Sequence, residues 1–586
     1  MSEPPLRAPP PDALHPQASG KDMPRQQARW EGGAAAIPGP LLRAAHRTAL
    51  LVIGLCLLAP LEVGAAESAT GAVDLARLEQ EGARFGRVSI HNQDVFDLAR
   101  EDESSAAHRL ANRWHHRTRK QVIDDTLLFK SGEPFQARLL EESARLLRTL
   151  KFLGDAHVEV VSAHDGVVDV EVTTRDVWSL NPGVSFGRKG GENDYGFEIE
   201  ELNLLGLGLE LDVDYTNNVD RSGYSVSVLD RHAFAPHREL SLGYGRFDDG
   251  DEWKFRYALP FYALDTRHAW GVQTQNRITR DDVYQRSEVV DQYRQRNTSG
   301  EIWYGYSTGW KDGWIQRWSG GWALDRRAFE TTPESTGVAP LPRDRDLRSV
   351  WFGYEAIQDD YRQWENRNQI GRTEDVLLGT HLNVRLGRAL EAFGGDRDAW
   401  LYSASVSRGF PLSAEKTLQA RLSTEGRLEQ GKVVDALSAV GLRYYHPLSE
   451  RNLVFARLDY EHGNNLEFDR RLLLGGDTGL RGFPLRYQAG ERKAQFTVEQ
   501  RYFTDWYPFR IMRVGFAAFA DVGRVWGDDG LGTENPGWLT NLGVGLRLGN
   551  TRSALGNVIH VDLAFPVGGP SDIDRLQFVI EARREF

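Results

Sequence analysis

The sequence predicts an all-β transmembrane barrel preceded by one small α+β domain. From Pro182 onward, apolar and polar residues alternate in successive short rows, and acidic side chains stand between apolar ones. Glycine (59), tyrosine (19) and tryptophan (16) are plentiful, as the turns and aromatic belts of a barrel require. A short apolar segment near the amino terminus is typical of exported proteins. These three observations predict the fold class.

Residues 1–66 are expected to be a disordered leader followed by a signal peptide. The apolar segment 48–61 reads TALLVIGLCLLAPL; Arg43 and Arg47 precede it, and small residues follow it. A membrane anchor would need about 20 apolar residues, so we favour cleavage after Ala65 or Ala66. The single cysteine, Cys56, would then be removed, and residues 67–83 would form a linker.

Charge and hydropathy exclude two classes of protein. The formal net charge of −12 offers no basic stripe for phosphates, so no nucleic-acid partner is expected. No apolar run reaches the 18 or more residues of a spanning helix, so a helical membrane protein is excluded as well.

Residues 84–178 predict the α+β domain. A strand is expected at residues 87–90, a helical region at 118–129, and an amphipathic helix at 135–153 that ends at Gly154. Two further strands are joined by a turn at residues 164–166; in the second strand, valines alternate with polar residues. The order strand, helix, helix, hairpin defines a small α+β unit.

Residues 182–586 predict the barrel. In one row, Leu209, Leu211 and Val213 alternate with acidic residues, which cannot face a dry core without heavy cost. Such residues can face a watery lumen while their neighbours face lipid. A soluble β-sandwich or propeller also has alternating strands, but the export signal and the lack of a blade-sized repeat favour the barrel. Counting the rows gives about 18 to 20 strands, and closure favours an even number.

Four motifs of the chain resemble those of the bacterial surface antigen family, which contains BamA/TamA-type outer-membrane assembly and translocation proteins. Residues 474–484 read LGGDTGLRGFP, residues 519–523 read FADVG, Glu499 lies in FTVEQRY, and residues 203–208 read NLLGLG. Residues 84–178 are similar to one polypeptide-transport-associated (POTRA) repeat of that family.

The resemblance implies a barrel of about 16 strands and a long loop, residues 464–491, that folds back into its lumen. We call the residues expected to hold this loop the loop lock: Arg481, Gly482, Phe483, Glu499 and Asp521. Three loop glycines, Gly475, Gly476 and Gly479, accompany them.

The physical case for the loop lock starts from Arg481. Its planar guanidinium binds carboxylates in bidentate fashion. Asp521 lies between Ala520 and Val522, and Glu499 lies between Val498 and Gln500, so each carboxylate can point inward. Gly479 and Gly482 would let the loop tip turn tightly. A water-filled lumen is expected to screen the pairing. The alternative is a solvated arginine on a mobile surface loop.

The carboxyl-terminal strand carries a predicted barrel-assembly signal: Phe578, Ile580 and the final residue Phe586 alternate on one face. This strand, residues 578–586, would meet the first barrel strand, near residues 184–188, at a weakly closed seam.

Signals of catalysis and metal binding are weak. Residues 183–187 read GVSFG, which matches the G-x-S-x-G motif of hydrolases, but they stand in a row of strands without the required helix. His108, His115 and His116 have no cysteine or carboxylate set to complete a metal site and are expected on a solvated helix face. The sequence predicts no enzyme, no metal and no cofactor.

The resemblance implies an outer-membrane protein that assists insertion or translocation of polypeptides, with its amino-terminal domain in the periplasm. The expected partners are outer-membrane lipid, client polypeptides added as a strand to a sheet edge, and periplasmic assembly proteins. The alternative is a passive channel or structural barrel whose periplasmic domain serves only for docking.

Overall fold

The structure is a computed structural model that describes residues 75–413, 415–550, 558–568 and 573–583. All of them belong to one compact unit, Gly54–Phe586. The predicted leader and signal peptide, Cys56 and Phe586 lie outside the described residues.

An α+β domain comes first. It contains the elements α1 (Leu75–Gln80), β1 (Arg84–Gln93), α2 (Ala106–Trp114), α3 (Lys120–Thr126), α4 (Ala137–Thr149), β2 (Leu153–His164) and β3 (Val167–Asp176). The sheet has the order β1-β3-β2, in which β3 pairs parallel with β1 and antiparallel with β2.

The core of this domain lies between α4 and the sheet. Leu140 and Leu147 of α4 are buried in one cluster with Val168, Val170 and Val172, the alternating valines of β3. Burying a side chain of this size stabilises the fold by about 1.5–3 kcal/mol, so the leucine stripe and the valine row hold the two layers together.

Three details differ from the sequence predictions. Helix α1 lies within the predicted linker, and α2 was not predicted. Helix α4 ends at Thr149, not Leu153, because Leu153 already pairs with Asp176 as part of β2. The hairpin turn at Asp165 and Gly166 lies where it was predicted, and both residues have a positive φ, 50° and 75°.

A closed barrel of 20 strands follows. Its first ten strands are β4 (Leu180–Lys189), β5 (Glu192–Glu201), β6 (Leu209–Asn217), β7 (Ser222–Asp230), β8 (Glu239–Phe247), β9 (Asp251–Leu259), β10 (His268–Gln285), β11 (Glu288–Lys311), β12 (Trp314–Thr331) and β13 (Arg345–Gln358). The other ten are β16 (His381–Ala389), β17 (Ala399–Pro411), β18 (Thr417–Glu429), β19 (Lys432–Ser449), β20 (Asn452–Asn464), β23 (Arg492–Phe503), β24 (Met512–Trp526), β25 (Leu539–Asn550), β26 (Val558–Pro566) and β27 (Gln577–Arg583).

Neighbouring barrel strands are all antiparallel, and the wall contains the upper number of strands counted from the alternating rows. The barrel prediction is confirmed, whereas the 16 strands implied by the resemblance are wrong for this chain. Two small hairpins stand apart from the wall: β14 (Tyr361–Glu365) with β15 (Thr373–Leu377), and β21 (Leu472–Leu474) with β22 (Gln488–Gly490).

Apolar and charged residues lie on opposite faces of the wall. Large apolar side chains such as Phe197, Val213, Tyr244, Phe352, Phe516 and Leu563 are exposed on the outside. Charged residues of the same wall, among them Glu200, Glu210, Arg547 and Asp562, are buried inside. This is the pattern of a barrel surrounded by lipid. Among the described helices, none combines the length and apolar character needed to cross a membrane.

The two ends of the barrel differ in their connections. We call the end at which β4 begins, next to the α+β domain, the proximal end, and the opposite end the distal end. The longest proximal connection, residues 359–380, contains the β14–β15 hairpin; a long distal connection, residues 465–491, contains the β21–β22 hairpin.

The seam between the last and first strands is narrow. In the described residues, β27 and β4 share one paired position, Ile580 with Arg188, whereas β4 and β5 share ten. An ion pair between Lys189 and Glu581, 2.7 Å apart, lies beside it.

Candidate functional site

The distal connection folds back into the barrel lumen. Its buried apolar residues form a small core with two residues of the inner wall, Val525 and Leu539. The loop residues of this core are Leu466, Leu472, Leu474, Leu480, Phe483 and Tyr487. Phe483, a predicted member of the loop lock, has no exposed surface. The loop therefore occupies part of the lumen, held by apolar packing as well as by charge.

Arg481 lies at the inner end of this loop. Its Nε and Nη2 donate to the two carboxylate oxygens of Asp521 at 2.9 and 2.8 Å, and its Nη1 donates to Glu499 at 2.7 Å. The guanidinium also stacks on the ring of Phe519, 3.3 Å from its centroid. The structure thus brings together the three charged residues that the sequence singled out.

The site is larger than sequence reasoning indicated. Asp562 is a third carboxylate partner, 3.3 Å from Arg481, and it pairs with Arg547. Arg501 donates to Glu499 at 3.0 Å. Three arginines and three carboxylates form what we call the lumen ion cluster: Arg481, Arg501, Arg547, Glu499, Asp521 and Asp562. Its formal charges balance, as the burial of six ionised groups requires.

Neutral groups complete the hydrogen bonding of Asp521. Thr497 Oγ1 and Asn541 Nδ2 both donate to its carboxylate at 2.9 Å. Asn541 also accepts the N–H of Gly482 at 3.2 Å, which ties the loop backbone to the wall. Asp562 stands between the apolar residues Val561 and Leu563, as Asp521 stands between two apolar residues. This signal was available in the sequence, but Asp562 was not predicted as a site residue.

The loop glycines permit close contacts. A Cβ at Gly475 would lie 2.3 Å from the backbone nitrogen of Arg486, and one at Gly476 would lie 2.4 Å from the carbonyl oxygen of Phe483. Gly479 has a φ of 113°, a conformation strained for other residues. Gly482 has no positive φ; it is needed because a Cβ would lie 2.6 Å from the Cβ of Asn541.

A second segment enters the lumen from the proximal end. We call residues 361–377, which form the β14–β15 hairpin, the proximal hairpin. At its tip, Ile370 is buried in a cluster with five residues of the inner wall: Tyr445, Leu453, Phe455, Phe503 and Val558. A Cβ at Gly549 of the wall would lie 2.9 Å from that of Ile370, so the wall leaves room for this tip.

The tip of the hairpin is internally ordered and bonded to the wall. Glu374 accepts the backbone N–H groups of Arg367, Asn368 and Gln369 at 3.0, 3.0 and 3.2 Å. Arg367 stacks on Trp364 at 3.3 Å and donates to Thr417 at 2.8 Å.

The two inserted segments are connected through the lumen ion cluster. Arg501 Nη1 donates to the carbonyl oxygen of Arg367 at 2.7 Å, while its Nε binds Glu499. Glu499 in turn binds Arg481 of the distal loop. One chain of charged hydrogen bonds thus links the tip of the proximal hairpin to the tip of the distal loop.

Helix α4 of the α+β domain holds the base of the hairpin. Arg148 Nε and Nη2 donate to the two oxygens of Asp375, each at 2.8 Å, and a third donor, Nη1, reaches the carbonyl of Ala156 at 2.9 Å. Arg145 stacks on Tyr361, 3.9 Å from the ring centroid. The side chains of Arg148 and Asp375 are 9% and 14% exposed, so little water screens this pair.

A further contact joins α4 to the barrel rim. Glu142 accepts the backbone N–H of Leu264, in the connection between β9 and β10, at 2.7 Å and pairs with Arg138 at 3.0 Å. Burial raises the pKa of Glu142, because the charged carboxylate loses hydration between the two surfaces.

The lumen also contains cavities. Two cavities of about 410 and 520 Å³ share the lining residues Ala323, Asp325, Arg327 and Arg385. Their walls are polar and charged, as water-filled space inside a barrel requires.

The other sequence-predicted residues lie elsewhere. Phe578 and Ile580 are on β27, where Phe578 faces outward and Ile580 makes the paired position of the seam. Residues 183–187 lie within strand β4, so no strand-turn-helix elbow exists there.

The prediction of a solvated histidine face is wrong for His115. Its side chain is 2% exposed and lies 2.8 Å from the buried Asp176, because it caps α2 against the end of β3. His116 is exposed, and His108 stacks on Phe96 with ring centroids 4.4 Å apart.

Carboxylates of Glu198, Glu200 and Asp212 lie within 4.8 Å of one another on the inner wall. Lys151 of the α+β domain, 3.8 Å from Glu200, supplies an opposite charge there. Acidic clusters of this kind are common without a metal, and we assign none.

Three solved structures are similar to the chain at low sequence identity. BamA from Haemophilus ducreyi lacking POTRA domains 1–3 has 13% identity and a TM-score of 0.37, with 84% of each chain covered. CdiB from Acinetobacter baumannii has 14% identity and a TM-score of 0.41, covering 85% of this chain and 74% of that one. CdiB from Escherichia coli has 12% identity and a TM-score of 0.38, covering 94% and 99%.

No curated protein matches the sequence significantly. Residues 203–583, which contain 18 of the barrel strands and the whole lumen ion cluster, match the Omp85 superfamily domain. The chain therefore belongs to the Omp85 superfamily, a family of outer-membrane β-barrel proteins.

Proposed function

We propose that this protein assists the insertion or translocation of polypeptides at the outer membrane. In this proposal the α+β domain is a POTRA-like periplasmic domain that binds an extended client segment. The main support for this proposal is the pair of hydrogen bonds from Arg148 of α4 to Asp375 of the proximal hairpin. These bonds join the proposed client-binding domain directly to a segment that fills part of the lumen.

The α+β domain offers a suitable surface. Strand β2 forms one edge of the three-stranded sheet, and an extended peptide can pair with such an edge through backbone hydrogen bonds. Val161 on β2 is 57% exposed, so an apolar side chain of the client has a contact there. A client bound at this edge lies on the same domain as Arg148.

The barrel offers two exits. One is the lumen, which is filled from both ends by segments that can be displaced. The other is the seam, where one paired position and one ion pair join β27 to β4 in the described residues. Since hydrogen-bonded pairing is what holds neighbouring strands together, this seam is the part of the wall that separates most readily.

Depletion of the protein tests the proposed function. We expect the level of a subset of outer-membrane or secreted proteins to fall, because their chains would no longer be inserted or translocated. Quantitative proteomics of outer-membrane and culture fractions measures this, with wild-type complementation as the control. Unchanged protein levels would contradict the proposal.

A passive channel is the second candidate, and the polar cavities of the lumen favour it. It predicts a different outcome of depletion: uptake of small polar solutes falls while the protein content of the outer membrane stays normal. The same cultures therefore distinguish the two functions.

The proposed orientation is tested by labelling single cysteines from outside intact cells, in a Cys56→Ala background. We expect no reaction at Ala163→Cys, because the α+β domain would lie in the periplasm, and none at Phe483→Cys, which is buried in the lumen. Val338→Cys, in the exposed distal connection after β12, should react and serves as the control. Labelling at residue 163 would place the domain on the wrong side.

A further inference from the structure

Helix α2 exposes apolar residues next to the barrel rim. Leu110 and Trp114 are 51% and 69% exposed, and they lie one turn apart on the same side of the helix. Arg109 and Arg113 occupy the adjacent row and are also exposed. A helix with an apolar row beside a basic row is typical of segments that lie in the interfacial layer of a membrane.

The other side of α2 explains why these residues face outward. The helix is attached to the domain by polar groups: Asn112 exchanges two hydrogen bonds with the backbone of Phe96, at 2.7 and 3.1 Å, and His115 binds Asp176. No residue of α2 is buried. Leu110 and Trp114 therefore contribute nothing to the core of the domain.

Two contacts place this segment beside the proximal rim, one within the α+β domain and one with the barrel. At one end, Asp176, the partner of His115, lies four residues before the first wall residue, Leu180, which is itself 41% exposed. At the other end, Asp102 pairs with Arg510 in the connection between β23 and β24. That connection contains Trp506, which is 63% exposed.

Between the contact at Arg510 and the start of the wall at Leu180, the neighbouring strands are β24, β25, β26, β27 and β4. The seam lies within this interval. The segment that contains α2 thus runs along the proximal ends of the strands on either side of the seam.

We propose that α2 is an interfacial helix, which lies in the headgroup layer of the outer membrane at the seam and inserts Leu110 and Trp114 among phospholipids. The apolar row continues the lipid-facing surface of the barrel, and the arginine row suits anionic headgroups. The proposal depends on the barrel lying in the membrane and not on the handling of clients.

The test uses the full chain in vesicles of phosphatidylethanolamine and phosphatidylglycerol, with an environment-sensitive fluorophore on Trp114→Cys in a Cys56→Ala background. We expect a blue-shifted emission that spin-labelled phosphatidylcholine quenches. The matched control is Ala163→Cys, exposed at the far end of β2, which should stay in water and unquenched. Heat-modifiable gel mobility verifies that each variant has a folded barrel.

Two outcomes would overturn the proposal. Emission at residue 114 as in water would mean that the helix stands clear of the membrane. A blue shift without quenching would mean that protein, such as another segment of this chain or a second copy, covers the helix.

The basic row has its own test. With Arg109→Glu and Arg113→Glu combined, quenching at residue 114 in anionic vesicles should fall to the level seen with phosphatidylcholine vesicles alone. Unchanged quenching would contradict the assigned role of the arginines.

Discussion

Replacing Arg481 by alanine is expected to destabilise the insertion of the distal loop by about 3–5 kcal/mol, because two carboxylates would lose their main partner in a buried site. The expectation from sequence that lumen water would screen this contact is wrong: Arg481, Glu499, Asp521 and Asp562 are at most 3% exposed. The loop should loosen and the single-channel conductance should rise, while the barrel stays folded. Planar-bilayer recordings and heat-modifiable gel mobility measure the two effects.

Combining Arg481→Ala with Asp521→Asn is expected to be less harmful than the sum of the two changes. Each single variant leaves one uncompensated charge in the lumen ion cluster, whereas the double variant leaves two arginines and two carboxylates. The coupling between the residues should thus appear as strong non-additivity in conductance and in unfolding by denaturant. Strictly additive effects would show that the two side chains do not act together.

Asp528→Asn is the matched control for these variants. Its carboxylate pairs with Arg471 of the same loop at 3.2 Å, but its side chain is 67% exposed. Since exposed pairs contribute little, this variant should behave as the wild type. A conductance change as large as that of Arg481→Ala would mean that the loss of any ion pair to the loop has this effect.

Replacing Arg148 by alanine is expected to release the proximal hairpin. Asp375 would lose both of its hydrogen bonds to α4 in a largely buried site, so the base of the hairpin would no longer be fixed to the α+β domain. We expect the conductance of Arg148→Ala to rise, as for Arg481→Ala, and the proposed client handling to be lost. Arg175→Ala, which removes an exposed guanidinium from the same domain, should change neither.

A reversible cross-link tests whether displacement of the hairpin matters. Ile370→Cys and Gly549→Cys, combined in a Cys56→Ala background, would place two Cβ atoms within disulfide reach after a small shift. The oxidised protein should have low conductance even with Arg148→Ala present, and should not support assembly of clients. Reduction should restore the higher conductance when Arg148→Ala is present, and the assembly of clients when Arg148 is retained. Full function in the oxidised state would mean that the hairpin need not move.

The barrel was predictable because one physical rule governs most of its length. In a strand between lipid and water, apolar and polar side chains must alternate, and the rows of residues from Leu209 to the carboxyl terminus have this alternation. The loop lock was visible for the same reason: Asp521 interrupts an apolar row and must find a positive partner inside the wall. The partner, Arg481, was identified only through the resemblance of its loop.

The proximal hairpin and α2 could not be predicted in the same way. Residues 366–372 are mostly polar, and Arg367 is buried only because Trp364, Thr417 and Arg501 surround it in the folded barrel. Helix α2 packs through His108, Asn112 and His115 instead of an apolar stripe, so its pattern carried no signal of a core-facing helix. Contacts made across the fold determine both segments.

The charge balance of the lumen ion cluster has a consequence for the order in which the barrel assembles. Arg481 comes from the loop, Glu499 and Arg501 from β23, Asp521 from β24, Arg547 from β25 and Asp562 from β26. Smaller sets of these strands contain balanced pairs, such as Arg547 with Asp562, but each set leaves a charged group without one of its partners. Full pairing of the cluster therefore comes only after the loop and strands β23 to β26 are all in place.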